Sequence, residues 1–292
     1  VRRVSAPIAF TNNGTVNVDA GTVQVDANVT GGPSLINNGA VNIVGSGAVL
    51  RLYGDSTHAL GASVSGPGLL DLRGGGHTVL GTVAGTRSVY VIGAGLNLQT
   101  DHDFGAGSYV YVASWGSLAG SGSKVFHGVL DLDTDATLYG GSFEVAADGR
   151  LNIYGGNHWL SQPLVLNCDG VGTHITNWTS GAMVMWGGTI TNNGVMNVSG
   201  GTPAVEGGYS GGPTAAAALV NNGTINTTAS LLRVRRVSAP IAFTNNGTVN
   251  VNAGTLRFDE LFTNSGIVSV VQGSMLVNGG GASTGVLRVR QG

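Results

Sequence analysis

The sequence predicts an all-β fold, a parallel β-solenoid of about 12 coils. Three observations carry that prediction. The first is composition: 292 residues hold 51 Gly and 24 Asn, with 42% hydrophobic but only 10% charged residues. The second is a turn motif, Asn-Asn-Gly or a variant, that recurs six times. The third is the run of short alternating apolar segments between the turns. Composition alone excludes several classes. Disorder needs low hydrophobicity and usually high net charge, whereas mean hydropathy is +0.21 and formal net charge −2. Collagen needs Gly at every third position with much Pro; there are 7 Pro and no such frame. Helices are disfavoured because Gly costs about 1 kcal/mol per helical site relative to Ala, and Gly interrupts every long stretch.

The motif copies define the two outer regions, residues 1–54 and 188–292. They are Phe10-Thr-Asn-Asn-Gly-Thr-Val-Asn-Val18, Ile36-Asn-Asn-Gly-Ala-Val-Asn-Ile43, Ile190-Thr-Asn-Asn-Gly-Val-Met-Asn-Val198, Val220-Asn-Asn-Gly-Thr-Ile-Asn226, Phe243-Thr-Asn-Asn-Gly-Thr-Val-Asn-Val251 and Phe262-Thr-Asn-Ser-Gly-Ile-Val-Ser-Val270. The predicted turn residues are Asn13, Gly14, Asn38, Gly39, Asn193, Gly194, Asn222, Gly223, Asn246, Gly247 and Gly266. Neighbouring glycines lie 25, 29, 24 and 19 positions apart, from 14 to 39, 194 to 223, 223 to 247 and 247 to 266. Asn-Gly is expected to supply the positive φ of a tight turn. The Val-x-Val that follows puts both apolar side chains on one face of a strand. A second turn, such as Ala20-Gly21 or Ala253-Gly254, then leads into another strand. Stacked coils would bury the apolar positions and superpose the Asn residues as amide ladders. A sandwich or closed barrel also has frequent short strands, but does not explain one turn sequence returning at near-fixed spacing. An outer-membrane barrel would need alternating segments of about 10 residues with aromatic girdles.

Residues 1–26 match residues 234–259 at 22 of 26 positions, which points to growth by duplication. The central region, residues 55–187, lacks Asn-Asn-Gly but keeps the strand signature, as in Ser88-Val-Tyr-Val-Ile92 and Tyr109-Val-Tyr-Val112. It reads as less regular coils of a single continuous solenoid. It holds all six His and all four Trp, so a ligand site is expected there if the chain has one.

Candidate chemistry is sparse. Asp131, Asp133 and Asp135 alternate, which on a strand would give one acidic face able to bind Ca²⁺ or to supply paired carboxylates; a solvated outer face is the simpler reading. Asp101-His-Asp103 has metal-ligand residue types at a non-specific spacing. His158, Trp159 and Trp178 are candidates for an aromatic glycan platform, against simple packing. Sequons at Asn13, Asn28, Asn177, Asn197, Asn222, Asn226 and Asn246 are better explained by the repeat than by glycosylation. Cys168 is the single cysteine and is expected as a buried thiol. No nucleophile elbow, His-Glu-x-x-His or phosphate loop is present. A pI near 6.3 gives no reason to expect nucleic acid. No apolar run approaches a membrane helix.

Runs such as Phe243 to Phe258 and Gly149-Arg-Leu-Asn-Ile-Tyr-Gly155 resemble bacterial secreted β-strand-repeat proteins: autotransporter passengers and filamentous-haemagglutinin-like β-solenoids. That resemblance implies a right-handed parallel β-helix, export to the cell surface, and roles in adhesion, fibres or biofilm matrix. Polygalacturonase-type enzymes share the fold, but their Asn-Thr-Asp, Asp-Asp and Arg-Ile-Lys motifs are missing. The expectation is therefore a non-enzymatic extracellular scaffold without a cofactor. Its expected partners are copies of itself, through open solenoid ends, and host or matrix glycans. The rivals are a carbohydrate-binding or carbohydrate-cleaving β-helix, a phage tail-fibre segment and, less favoured because its Thr column is interrupted, an ice-binding array.

Overall fold

Alternating segments of four or five residues, each ended by Gly or a polar pair, can only make short strands. The structure, a computed structural model, describes residues 9–26, 32–84, 88–210, 212 and 214–290. Among them there is no helix, and the strands run two to six residues. Every strand pairing has parallel neighbours in adjacent coils of 19 to 29 residues, which is a parallel β-solenoid. Contacts divide the chain into two units: residues 1–131 with 136–142, and residues 132–135 with 143–292.

In the first unit, one face stacks seven strands: Phe10–Asn12, Leu35–Asn37, Ser56–His58, Gly76–Val79, Gly95–Leu98, Ser117–Ala119 and Thr137–Leu138. A second face begins with Thr15–Val18, Ala40–Ile43 and Ser63–Ser65; a third runs through Thr22–Val25, Val49–Leu52, Leu69–Arg73, Ser88–Ile92 and Tyr109–Ala113. In the second unit, six strands stack on one face, from Asn157–Leu160 through Ala182–Met185, Ala204–Gly207, Leu231–Arg236 and Thr255–Phe258 to Ser274–Val277. Its other two faces end in Phe262–Asn264 under Gly281–Ser283 and Ile267–Val270 under Val286–Val289. The chain thus makes about 13 turns, seven and six, one more than expected because some coils need only 19 residues.

Alternation decides what is inside. Leu70 and Leu72, Val89 and Val91, and Val110 and Val112 point inward on successive coils and are buried. In the second unit Phe243, Phe258 and Phe262 fill the interior together, with ring centroids 4.6 to 6.0 Å apart. The coil-to-coil spacing of about 4.8 Å makes such stacking automatic wherever one residue type recurs in register.

The motif glycines correct one expectation. Gly14, Gly39, Gly194, Gly223, Gly247 and Gly266 do not have positive φ, and neither do their Asn neighbours. Left-handed backbone occurs instead at the second turns, at Gly21 (φ 67°) and Gly254 (φ 69°). The motif glycines are required by crowding: a Cβ on Gly223, Gly247 or Gly266 would overlap the carbonyl of the motif glycine one coil earlier. A turn that returns in register brings backbone onto backbone, and only a residue without a side chain lets the coils close.

Candidate functional site

Among the described residues, the Asn-Asn-Gly motifs build columns of stacked amides in each unit. The first Asn of each motif points inward. Asn37, Asn192, Asn221 and Asn245 are fully buried, which an amide tolerates only when its hydrogen bonds are made. They are made along the stack, except at Asn192 Oδ1, which heads this run buried and, among the described residues, without a partner: Asn192 Nδ2 donates to Asn221 Oδ1 (2.8 Å), Asn221 to Asn245 (2.7 Å), Asn245 to Asn264 (2.7 Å) and Asn264 to Ser283 Oγ (3.0 Å). The first unit repeats the pattern from Asn12 to Asn37 (2.8 Å). The second Asn points outward and its ladder runs the other way. Asn38 donates to Asn13, Asn193 to Asn167, Asn222 to Asn193, Asn246 to Asn222, and Ser265 to Asn246, all at 2.8 to 2.9 Å. A third ladder joins Asn197, Asn226 and Asn250. Ladder separations of 25, 29, 24 and 19 residues reproduce the motif spacing. Of the sequons, Asn13, Asn197, Asn222, Asn226 and Asn246 are ladder members, Asn177 donates to Asn152, and Asn28 lies outside the described residues.

Where Asn runs out in the first unit, His continues the inner column. Asn37 Nδ2 donates to His58 Nδ1 (3.3 Å), which makes that nitrogen the acceptor and puts the proton on Nε2. Nε2 then donates to Ser56 Oγ (3.3 Å), Ser56 to His77 Nδ1 (2.8 Å), and His77 Nε2 to the Gly74 carbonyl (3.0 Å). Both rings are neutral in this chain of bonds. Burial, with the nearby His77, pulls His58 down to about 4, and burial lowers His77 too. Lys124, the only lysine, is wholly buried; its Nζ donates to the carbonyls of Gly120 (2.6 Å), Gly122 (2.7 Å) and Gly140 (3.1 Å). Burial pulls its ammonium down to about 8, so it stays charged at neutral pH.

The acidic face read from Asp131, Asp133 and Asp135 does not form. The strand Val129–Leu132 stops before Asp133, and Thr134 (φ 39°) and Asp135 (φ 65°) turn the backbone through left-handed conformations. Alternation no longer holds there. Asp131 is buried and accepts the Tyr109 hydroxyl (2.6 Å), and Asp133 accepts the Thr134 hydroxyl (2.9 Å). Asp135 accepts the Asn157 backbone N–H (2.9 Å), just as Asp55 accepts from Gly76 and Asp101 from Ser123 in other coils. His102, between Asp101 and Asp103, points inward with Nδ1 on the Thr100 carbonyl (2.7 Å). Among the described residues no cluster of three or more His, Cys, Asp or Glu is placed to hold a metal ion.

The glycan platform of His158, Trp159 and Trp178 is also corrected. His158 points inward and bonds the Tyr154 carbonyl (2.6 Å); Trp178 is buried with Nε1 on the Ser180 carbonyl (2.9 Å). Trp159, one residue along the strand from His158, faces outward. It lies with Trp186 over Ala182, Val184 and Ala204. Cys168 is a buried free thiol, its pKa raised by burial.

A tyrosine face in the first unit escaped the sequence reading. Tyr90, Tyr109 and Tyr111 stand together on the outward side of two paired strands, with centroids 5.5 to 6.4 Å apart. On the neighbouring coils, Asp71 is buried between Arg51 Nε (2.7 Å) and Arg73 Nε (2.6 Å). The signal was present as Tyr at alternate positions of Ser88-Val-Tyr-Val-Ile92 and Tyr109-Val-Tyr-Val112, but only the register shows that these side chains meet.

On the last described coil the inward side chains are exposed. Leu287 is 55% and Val289 81% exposed although both occupy the inward positions of their strand. They border an apolar mouth of about 600 Å³ with Phe262, Val268, Val270 and Met275. No helix among the described residues is long and apolar enough to cross a membrane. No protein-family model, curated protein or solved structure matches this chain.

Proposed function

We propose that this protein is an extracellular structural β-solenoid, a segment of a surface fibre, matrix filament or adhesin stalk that extends by head-to-tail stacking. The observation that carries this reading is the directional inner and outer amide ladders, which run through coil after coil. Such a construction ties each coil to its neighbours by backbone ladders, amide ladders and apolar burial at once, and it can be continued by any coil of the same kind. An open coil is a row of unpaired strand edges and exposed core, and a chain with few charges offers little to keep such edges apart. Negative-stain imaging of the native material tests the reading. Filaments or end-joined particles are expected; dispersed single particles at every concentration would overturn it.

A further inference from the structure

The third face of the first unit carries a construction that the stacking of coils does not require. Arg51, Asp71, Tyr90 and Tyr111 stand in register in one outward column on four successive coils. An outward position is ordinarily wet, yet Asp71 is wholly buried there. Arg51 and Arg73 close over it, each bonding one carboxylate oxygen through Nε. The two arginine side chains stay 32% and 34% exposed, so the face shows guanidinium to solvent and hides the carboxylate. Asp131 is hidden too, buried and accepting the Tyr109 hydroxyl.

Pinning through Nε has a chemical consequence. It fixes the plane of each guanidinium and directs the binding capacity to the terminal Nη groups, a fork of N–H donors. The Nη groups of Arg73 make no bond among the described residues. Such a fork matches a carboxylate, which takes two parallel N–H···O bonds. Aromatic rings flank the pair. Tyr53, 37% exposed, stands beside Arg51, and Tyr90, Tyr109 and Tyr111 follow on the next two coils. Among the described residues Tyr90 makes ring contacts only. Half-buried outward tyrosines offer apolar carbon with a wet polar tip, which suits a ligand having an apolar face and a polar rim. From Arg51 to Tyr111 is three coil spacings, about 14 Å, room for a short oligomer.

We propose that this face binds an acidic oligosaccharide, a chain of pyranose rings bearing carboxylates, laid across the coils from Arg51 to Tyr111. The C–H faces of the sugars rest on Tyr90 and Tyr111, drawn by the negative face of each ring. A sugar carboxylate takes the Nη fork of Arg73 in charge-assisted hydrogen bonds. Charge selects among polyanions. Two guanidiniums over one buried carboxylate leave a single net positive charge. That suits one sugar acid and cannot neutralise the run of phosphates on which nucleic-acid binding rests. The site lies within one unit and stands whether or not molecules join end to end.

Isothermal titration calorimetry of the 292-residue chain with hexagalacturonate, maltohexaose and hexathymidylate tests this. Hexagalacturonate is expected to bind at least about tenfold tighter than maltohexaose, an advantage that shrinks as salt is raised. Tyr90→Leu, which keeps an apolar side chain in the column, is expected to weaken hexagalacturonate at least about tenfold. Arg73→Gln is expected to weaken hexagalacturonate by about tenfold and to leave maltohexaose unchanged, a split that loss of structure would not produce. Asp71 loses a partner in that variant, so Arg73→Lys is measured beside it. Lysine keeps the charge over Asp71 and removes the fork, and about a fivefold loss is expected. No binding of hexagalacturonate, equal binding of maltohexaose, or folded variants that bind like the parent chain would each overturn the site. Tighter binding of hexathymidylate would overturn the sugar and point to nucleic acid.

Discussion

His58 shows what a single buried residue does in this fold. Its ring is neutral because Asn37 donates to it and because charge cannot be solvated there. The unfolded chain binds the proton near pH 6.5 and the folded chain only near 4, so between those values the unfolded state holds more protons. Stability is therefore full above about pH 6.5 and falls as pH drops towards 4, by about 3 kcal/mol for this group. Urea denaturation at pH 7 and at pH 4.5 measures the loss. His58→Gln, which keeps a side chain able to accept from Asn37, is expected to reduce the slope; an unchanged slope would place the acid sensitivity elsewhere.

At the scale of the coil, the motif glycines matter more than the strands they join. Gly247 sits where a Cβ would overlap the Gly223 carbonyl and the Asn222 backbone, so neither neighbour can give way by a side-chain rotation. Gly247→Ala is expected to cost about 2–3 kcal/mol through forced separation of two coils, read as a lower thermal midpoint. The sequence made the coils legible because strand alternation and the motif spacing both follow from local chemistry. It misassigned the reason for Gly, since turn geometry is visible in one coil and crowding only in two. The same limit explains Asp135, whose partner Asn157 is 22 residues away, and the tyrosine face, where Tyr90 meets Tyr111 only through strand register. His158 and Trp159 were grouped by adjacency, but neighbours on a strand point to opposite faces. The inner and outer Asn were legible as ladders, whereas their opposed directions were not, because donor direction is a property of the stacked amides.

For the molecule, load bearing is the claim on which the proposed role stands. In each unit, coils are held to their neighbours on several faces and touch few others, so stability is a sum of coil terms and interfaces. Pulling the 292-residue chain from both ends by single-molecule force spectroscopy addresses this directly. The account predicts a stepped force-extension record whose increments correspond to one or a few coils, about 65–100 Å of chain per coil at about 3.5 Å per residue. Smooth extension at low force, without resolved steps, would contradict it.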